Sequence, residues 1–259
     1  MELKQETVIV TGCTGAVGAA AVAMLRRRGC NVIGTTRRTP RGDERPLDLG
    51  SLESIVSFVE RLKADGIHVD ALLNNAGTMQ KTHAINADGL ERVVATNYVG
   101  PYLLSRLMVG ACGPALRVVN TVSLTCYTAS FGKDFFTTGR YSQLGTYANS
   151  KYALMLFSQE LARRTGARVN LTDPGVVDSR MLHLDRWFDP LADLLFRPFC
   201  KSAEGGATPA VNAILSDCSL QLFRGKRHTD IPRRWRRDDR AAWLWDETER
   251  LLKTKGIDL

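Results

Sequence analysis

The sequence predicts an α/β protein: one domain built on a doubly wound parallel sheet with helices on both faces. Three observations carry that expectation. Short β-branched runs alternate with longer helical patterns along the chain, the order that parallel strands with crossover helices require. The 259 residues, 44% hydrophobic and 24% charged, suit one large globular domain with a full core. No repeat, low-complexity tract or linker interrupts the alternation.

The first strand, "TVIVTG", runs into "TGCTGAVGAAA" (Thr11 to Ala21), which opens the helix "GAAAVAMLRRRG". Glycines there let the backbone turn tightly and approach a pyrophosphate. The helix N-terminus adds free amides and the positive end of its dipole. The second strand, "NVIGTT", exits into "RRTPR". Chains that bind NAD place an acid at this point to hold the ribose 2′-hydroxyl. Thr36 fills that slot here and Arg37 and Arg38 follow, so guanidinium is offered where a 2′-phosphate would lie. NADP(H) is therefore expected over NAD(H). The link from Arg38 to Leu47 is too short for the helix that normally joins the second and third strands.

Beyond it, "SLESIVSFVERLKADG" reads as a helix and "ALLNNAG" as a buried strand. "GLERVVATNYVGPYLLSRLM" reads as a long helix, and "RVVNTV" and "RVNLTDPG" as two more strands. Ligands of such sheets sit at the carboxyl ends of the strands, so the exits are where function is sought. The helix "TYANSKYALMLFSQELARR" (Thr146 to Arg164) places Tyr147 and Lys151 four residues apart on one face. Tyr141 and Tyr152 have Gly145 and Leu156 at that spacing, so only Tyr147 has a lysine. A free phenol titrates near pH ~10. An adjacent ammonium stabilises the phenolate and is expected to lower that value, giving a usable acid–base catalyst.

Composition narrows the rest. Six scattered cysteines without a C-x-x-C pair suit a reducing compartment, and a cytoplasmic protein is expected. His68, His83, His183 and His228 have no metal-ligand spacing, so no metal is expected. The opening residues do not resemble a leader peptide, and no apolar run reaches the ~20 residues of a membrane span. Much of the net charge of +8 falls in "FRGKRHTDIPRRWRRDDR" (Phe223 to Arg240). That stretch reads as a solvated strand and turn with Asp238 and Asp239 as counter-charges, in preference to a nucleic-acid surface.

The set of motifs resembles the short-chain dehydrogenases/reductases almost end to end. It comprises Gly12, Gly15 and Gly18 in the turn, "LDL" with Asp48, "NNAG" at Asn74 to Gly77, and "NYVG" with Asn97. "RVVNTVS" ending in Ser123, Tyr147-x-x-x-Lys151 and "PGVVDS" (Pro174 to Ser179) complete it. The central helix, the 23 residues between Ser123 and Tyr147 and the C-terminal "AAWLWDETERLL" are most similar to the retinol-dehydrogenase and carbonyl-reductase-like branch. Ala16 stands in the turn's usual middle glycine slot, with Gly15 before it.

The resemblance implies a single Rossmann-type domain over 1–259 with a substrate lid at about 179–204. It also implies transfer of a hydride between a nicotinamide and a carbonyl or alcohol. Tyr147 would give the proton to the carbonyl oxygen, Ser123 would orient that oxygen, Lys151 would also hold the nicotinamide ribose, and Asn97 would organise a proton-relay water. Cofactor contacts fall to Gly12, Thr14, Gly15, Ala16, Val17 and Gly18, to Arg37, Asp48 and Leu49, and to Asn75, Ala76 and Gly77. Tyr147, Lys151, Pro174, Gly175, Val177 and Ser179 complete them.

The residues after Ser179, with Phe131, Phe135 and Phe136, suggest an aromatic lid over a bulky apolar substrate such as a steroid, retinoid, aromatic ketone or polyketide-like compound. A monomer or homodimer without a membrane anchor is expected. A nucleotide-binding regulator without activity and an epimerase or dehydratase are the alternatives.

Overall fold

A computed structural model of the chain describes residues 5–132, 135–136, 141–177, 201–236 and 238–259. One eight-stranded sheet organises them, in the order β3-β2-β1-β4-β5-β6-β7-β8. The strands are β1 (Thr7–Thr11), β2 (Asn31–Thr36), β3 (Arg45–Pro46), β4 (Ala71–Asn74), β5 (Arg117–Thr121), β6 (Arg168–Asp173), β7 (Gln221–Arg224) and β8 (Arg227–Asp230). Only β8 runs antiparallel, closing a hairpin with β7. The basic stretch that follows Phe223 is that hairpin, with the short helix α7 (Arg233–Arg236) behind it.

The helices cover both faces. α1 (Ala16–Arg27) and α6 (Ala203–Ile214) lie on one; α2 (Leu52–Ala64), α4 (Gly100–Cys112), α5 (Gln143–Thr165) and α8 (Arg240–Thr254) lie on the other. The strands alternate between the two cores. Val8 and Val10 of β1 face α1 and α6, whereas Ile9 faces α2 and α4. Strands buried on both faces cannot alternate apolar with polar, which is why they read as unbroken β-branched runs.

Between Thr36 and Arg45 there is no helix, so the β2–β3 connection is a bare loop. The long central helix is not uniform: α3 (Arg92–Val94) passes through a π-helical turn, Ala95–Val99, before α4 begins. α5, the helix of Tyr147 and Lys151, starts at Ser142, whose hydroxyl accepts from the Gly145 amide, and stops at the left-handed Gly166.

Candidate active site

The first turn of α1 has the form of an anion cradle. Gly12 is left-handed, and a Cβ there would come within 2.9 Å of the Ala76 methyl. At Gly18 a Cβ would stand 2.2 Å from the Gly12 carbonyl oxygen and 2.8 Å from Asn75 Nδ2, so the turn and the helix touch without room for a side chain. Thr14, Gly15 and Ala16 are exposed above this contact, and no side chain caps the helix start at Gly15. Free amides at an open, uncapped N-terminus fit a pyrophosphate. Val17 stands beside them, and its methyl lies 3.3 Å from the Cβ position of Gly206 in α6.

Thr11 clips this turn to the neighbouring exit. Its hydroxyl accepts from the Asn75 and Ala76 amides, each at 3.0 Å, and Asn75 Nδ2 returns a bond to the Thr11 carbonyl at 2.9 Å.

At the β2 exit Thr36 is buried and its hydroxyl accepts from the Arg38 amide at 3.1 Å. Arg37 and Arg38 are exposed, with no acidic partner among the described residues. Asp48, also exposed, accepts from the Gly50 amide at 2.8 Å, and Leu49 is buried against Gly100.

The β4, β5 and β6 exits hold the buried polar groups. Asn97 sits in the π turn with no exposed surface. Its Oδ1 accepts from the Thr78 amide at 2.7 Å, and its Nδ2 donates to the Thr78 carbonyl at 2.8 Å and to Ser150 Oγ at 3.1 Å. The amide therefore locks the segment after "NNAG" onto α5. Lys151 is buried and its Nζ donates to the Thr121 carbonyl at 2.8 Å. Gly77 faces it, since a Cβ there would lie 3.2 Å from that ammonium. Deeper still, Asn74 Nδ2 donates to Asn120 Oδ1 at 2.7 Å and Asn120 Nδ2 to Ser158 Oγ at 2.8 Å, tying β4, β5 and α5 together.

Ser123 opens a turn of 3-10 helix, Leu124–Thr128, and its hydroxyl accepts from the Thr125 amide at 3.3 Å. The Tyr147 phenol, half-buried on α5, is hydrogen-bonded to Ser123. The expected lowering of the phenol by its lysine does not occur. Burial pushes Tyr147 up to about 12, opposed by the Ser123 bond and reinforced by Cys126 and Asp173. The ammonium is 5.9 Å from the centre of the Tyr147 ring and is held by a carbonyl instead. Burial also brings Lys151 down to about 8, which weakens the positive charge on which the expectation relied.

At the β6 exit Gly175 is left-handed and Pro174 offers its carbonyl to Lys201 Nζ at 3.2 Å. Val177 is buried and bridges to Lys201. Ser179 lies outside the described residues, as does 179–200 of the expected lid.

The other part of that lid is corrected. Phe135 is buried, its ring 5.5 Å from Tyr98 and 4.6 Å from Phe131, and Phe131 and Phe136 pack on the same core. Apolar surface is removed from water more completely there than over an open cleft. Three apolar side chains close in sequence to the site residues stay open to water: Leu124, next to Ser123, Leu144, three residues before Tyr147, and Val176, next to Gly175, keep 48%, 56% and 49% of their surface exposed.

This arrangement of a glycine turn, a buried lysine and a serine-bonded tyrosine at successive exits of a parallel sheet is that of a nucleotide-dependent oxidoreductase. The chain belongs to the short-chain dehydrogenase family, whose model matches residues 6–187. It is 34% identical to polyprenol dehydrogenase of Mus musculus over 96% of this chain and 84% of that one. It is 30% identical to retinol dehydrogenase 12 of Bos taurus, over 97% and 88%. Among solved structures, an uncharacterised protein from Mycobacterium paratuberculosis superposes with a TM-score of 0.76 at 29% identity, covering 96% of this chain and 94% of that one.

Sequence reasoning missed Asp173 and Arg224, which meet beside the site. The pairing register of β6 and β7 places them opposite each other, and no local motif announces it.

Proposed function

We propose that the protein is an NADP(H)-dependent carbonyl reductase or alcohol dehydrogenase acting on a bulky apolar substrate. One observation carries the reading: Ser123, Tyr147 and Lys151 stand together beside an uncapped glycine turn that fits a dinucleotide. The nicotinamide, when bound, supplies or accepts the hydride. Thr14 to Val17 would hold its pyrophosphate, Asp48 and Leu49 its adenine, and Asn75 to Gly77, Pro174, Gly175 and Val177 would line the inner wall. Tyr147, protonated at neutral pH, donates to a substrate carbonyl oxygen that Ser123 orients. Lys151, held by the Thr121 carbonyl, would bind the nicotinamide ribose hydroxyls at the same end of the site. Asn97 fixes the segment around it, and the π turn it occupies is a common device at functional sites.

The exposed apolar side chains of Leu124, Leu144 and Val176, each close in sequence to a site residue, favour a large hydrophobic substrate. The names of the similar proteins, which act on retinol and on polyprenol, point the same way. NADP(H) is favoured because no acid stands in the ribose slot beside Arg37 and Arg38, and neither has an acidic partner among the described residues. A cytoplasmic location rests on the scattered cysteines, of which those described are free thiols. A monomer or simple dimer is favoured by α8, which lies across α4 and α5: Trp245 stacks on Phe157 at 5.9 Å, and Tyr98 bonds Thr248 at 2.7 Å.

The test is depletion of NADPH against a panel of ketones and aldehydes graded in size and hydrophobicity. Consumption with long or polycyclic apolar carbonyls and little with short polar ones is expected. Consumption with none of them, by protein that binds NADPH, would favour the inactive regulator.

A further inference from the structure

A buried carboxylate at the β6 exit has no part in the scheme above. Asp173 is 3% exposed and sits at the last position of β6, immediately before the Pro174–Gly175 turn. Its Oδ1 accepts from the Gly175 amide at 2.9 Å. Its Oδ2 lies 3.2 Å from Arg224 Nε, across the β6–β7 ladder, without the alignment of a hydrogen bond. On the other side, β6 pairs with β5 through Thr172 and Thr121, and the Val122 amide donates to the Thr172 carbonyl at 2.8 Å. Asp173 therefore follows Thr172, the last residue of β6 paired with β5, beside the segment that leaves β5 through Val122 to Ser123. Ser123 is the residue bonded to the Tyr147 phenol.

A charge left in so dry a place is expensive unless it has work or a partner. Arg224 is only a partial partner, because its guanidinium also reaches towards the Tyr127 ring, 5.9 Å away. Among the described residues, four groups act on or beside the phenol. Ser123 and Cys126 come from the 3-10 turn, Lys151 from its own helix, and Asp173 from β6 with Arg224 behind it. Cys126 is a neutral thiol, its own titration pushed up by burial to about 11.

We infer that Asp173 and Arg224 form a positioning pair that holds the Pro174–Gly175 turn and sets the proton on Tyr147, keeping it on the phenol so that the enzyme is poised for carbonyl reduction. The inference rests on the proposed role of Tyr147. The negative carboxylate disfavours the phenolate that alcohol oxidation would need as base, and Arg224 moderates that influence. The two members of the pair therefore act with opposite signs.

The opposition makes the test. Asp173→Asn keeps an oxygen for the Gly175 amide and removes the charge. Arg224→Met keeps the bulk and leaves the carboxylate unscreened. For two charges several ångströms apart in a partly wet site, a shift of about half to one pH unit is expected. In the pH dependence of kcat/KM, Asp173→Asn should move the alkaline limb of reduction downward and raise alcohol oxidation at neutral pH about three- to tenfold. Arg224→Met should move both in the opposite direction.

Should no substrate be found, tyrosinate absorbance answers independently, as the difference between each protein and the same protein carrying Tyr147→Phe. Asp173→Asn should then ionise Tyr147 at lower pH than wild type. Shifts of the same sign in both variants, or loss of rate with unmoved limbs and unmoved tyrosinate curves, would reduce the pair to a structural contact and overturn the inference.

Discussion

The two ends of the candidate site are built on different terms. At the inner end the polar groups are buried and bonded. Asn97 clamps Thr78 from both sides, Lys151 rests on the Thr121 carbonyl, and Asn74, Asn120 and Ser158 are linked beneath them. At the outer end Arg37, Arg38 and Asp48 are exposed, on or beside a loop with no helix to brace it. Leaving a buried polar group without its partner costs about 1–3 kcal/mol, whereas an exposed one turns to water. The inner end thus holds its geometry before a ligand arrives. At the outer end the exposed side chains are left to water. On the proposed function, chemistry is then built into the fold, and nucleotide choice is left to side chains that can be exchanged without disturbing it.

The largest effect should come from the atom that moves a proton. Tyr147→Phe removes the hydroxyl and little else, so turnover should fall at least ~100-fold, the usual size of a lost general acid. NADPH affinity, read by quenching of its fluorescence, should stay nearly constant. Most of the activity surviving would break the assignment of Tyr147. Lys151→Ala should differ in kind, lowering turnover and weakening NADPH binding together.

Stability sharpens the contrast next. Asn97→Ala strands the Thr78 amide and carbonyl, and should lower the unfolding free energy by about 1–3 kcal/mol in a urea titration. Arg37→Ala, at an exposed position, should stay within about 0.5 kcal/mol of wild type. Equal losses would dissolve the distinction between the two ends.

The glycine turn straddles them. Gly18→Ala would force a methyl to 2.2 Å from the Gly12 carbonyl and should cost both stability and cofactor binding. Gly15 has an ordinary extended conformation and only a 3.5 Å neighbour, so Gly15→Ala should leave the melting temperature unchanged and weaken only the cofactor.

How much of this was legible follows from how local each feature is. The strands β1, β2, β4, β5 and β6 show in the sequence because burial on both faces gives each a run of apolar residues, with the buried polar groups gathered mainly toward the strand exits. The Tyr147–Lys151 pair shows because helical spacing puts both residues on one face. The two-residue β3 is too short for any period, and the π turn at Asn97 adds one residue to a helix without changing its composition. Phe131, Phe135 and Phe136 read equally well as lid or core, and only the neighbours Tyr98 and Tyr152 decide. The direction in which Tyr147 is perturbed depends on where the Lys151 ammonium comes to rest. Spacing along a helix does not say that.

The smallest effect, and the most local, concerns the cofactor's second phosphate. Thr36 is buried with its hydroxyl occupied by the Arg38 amide, so the residue in the ribose slot neither repels a phosphate nor accepts from a free 2′-hydroxyl. Arg37 and Arg38 follow on the exposed loop, free to turn toward a dianion. A charged hydrogen bond is worth roughly 1.5–3 kcal/mol, or about one to two powers of ten in affinity. NADPH should accordingly be preferred over NADH by at least ~10-fold in kcat/KM. One feature opposes it: Glu44 returns along the same loop to lie against Cys13, whose thiol is pushed up to about 11 by burial first and by Glu44 second. A carboxylate this near the turn trims the positive field without reaching Arg37. Thr36→Asp with Arg37→Ala should reverse the preference, because the new acid repels the phosphate and accepts from the 2′-hydroxyl. Arg37→Ala alone should erase most of it while leaving NADH kinetics untouched. Equal use of both cofactors by the wild type, or indifference to Arg37→Ala, would mean that the short loop holds the guanidinium away from the ribose and that the outer end is as fixed as the inner one.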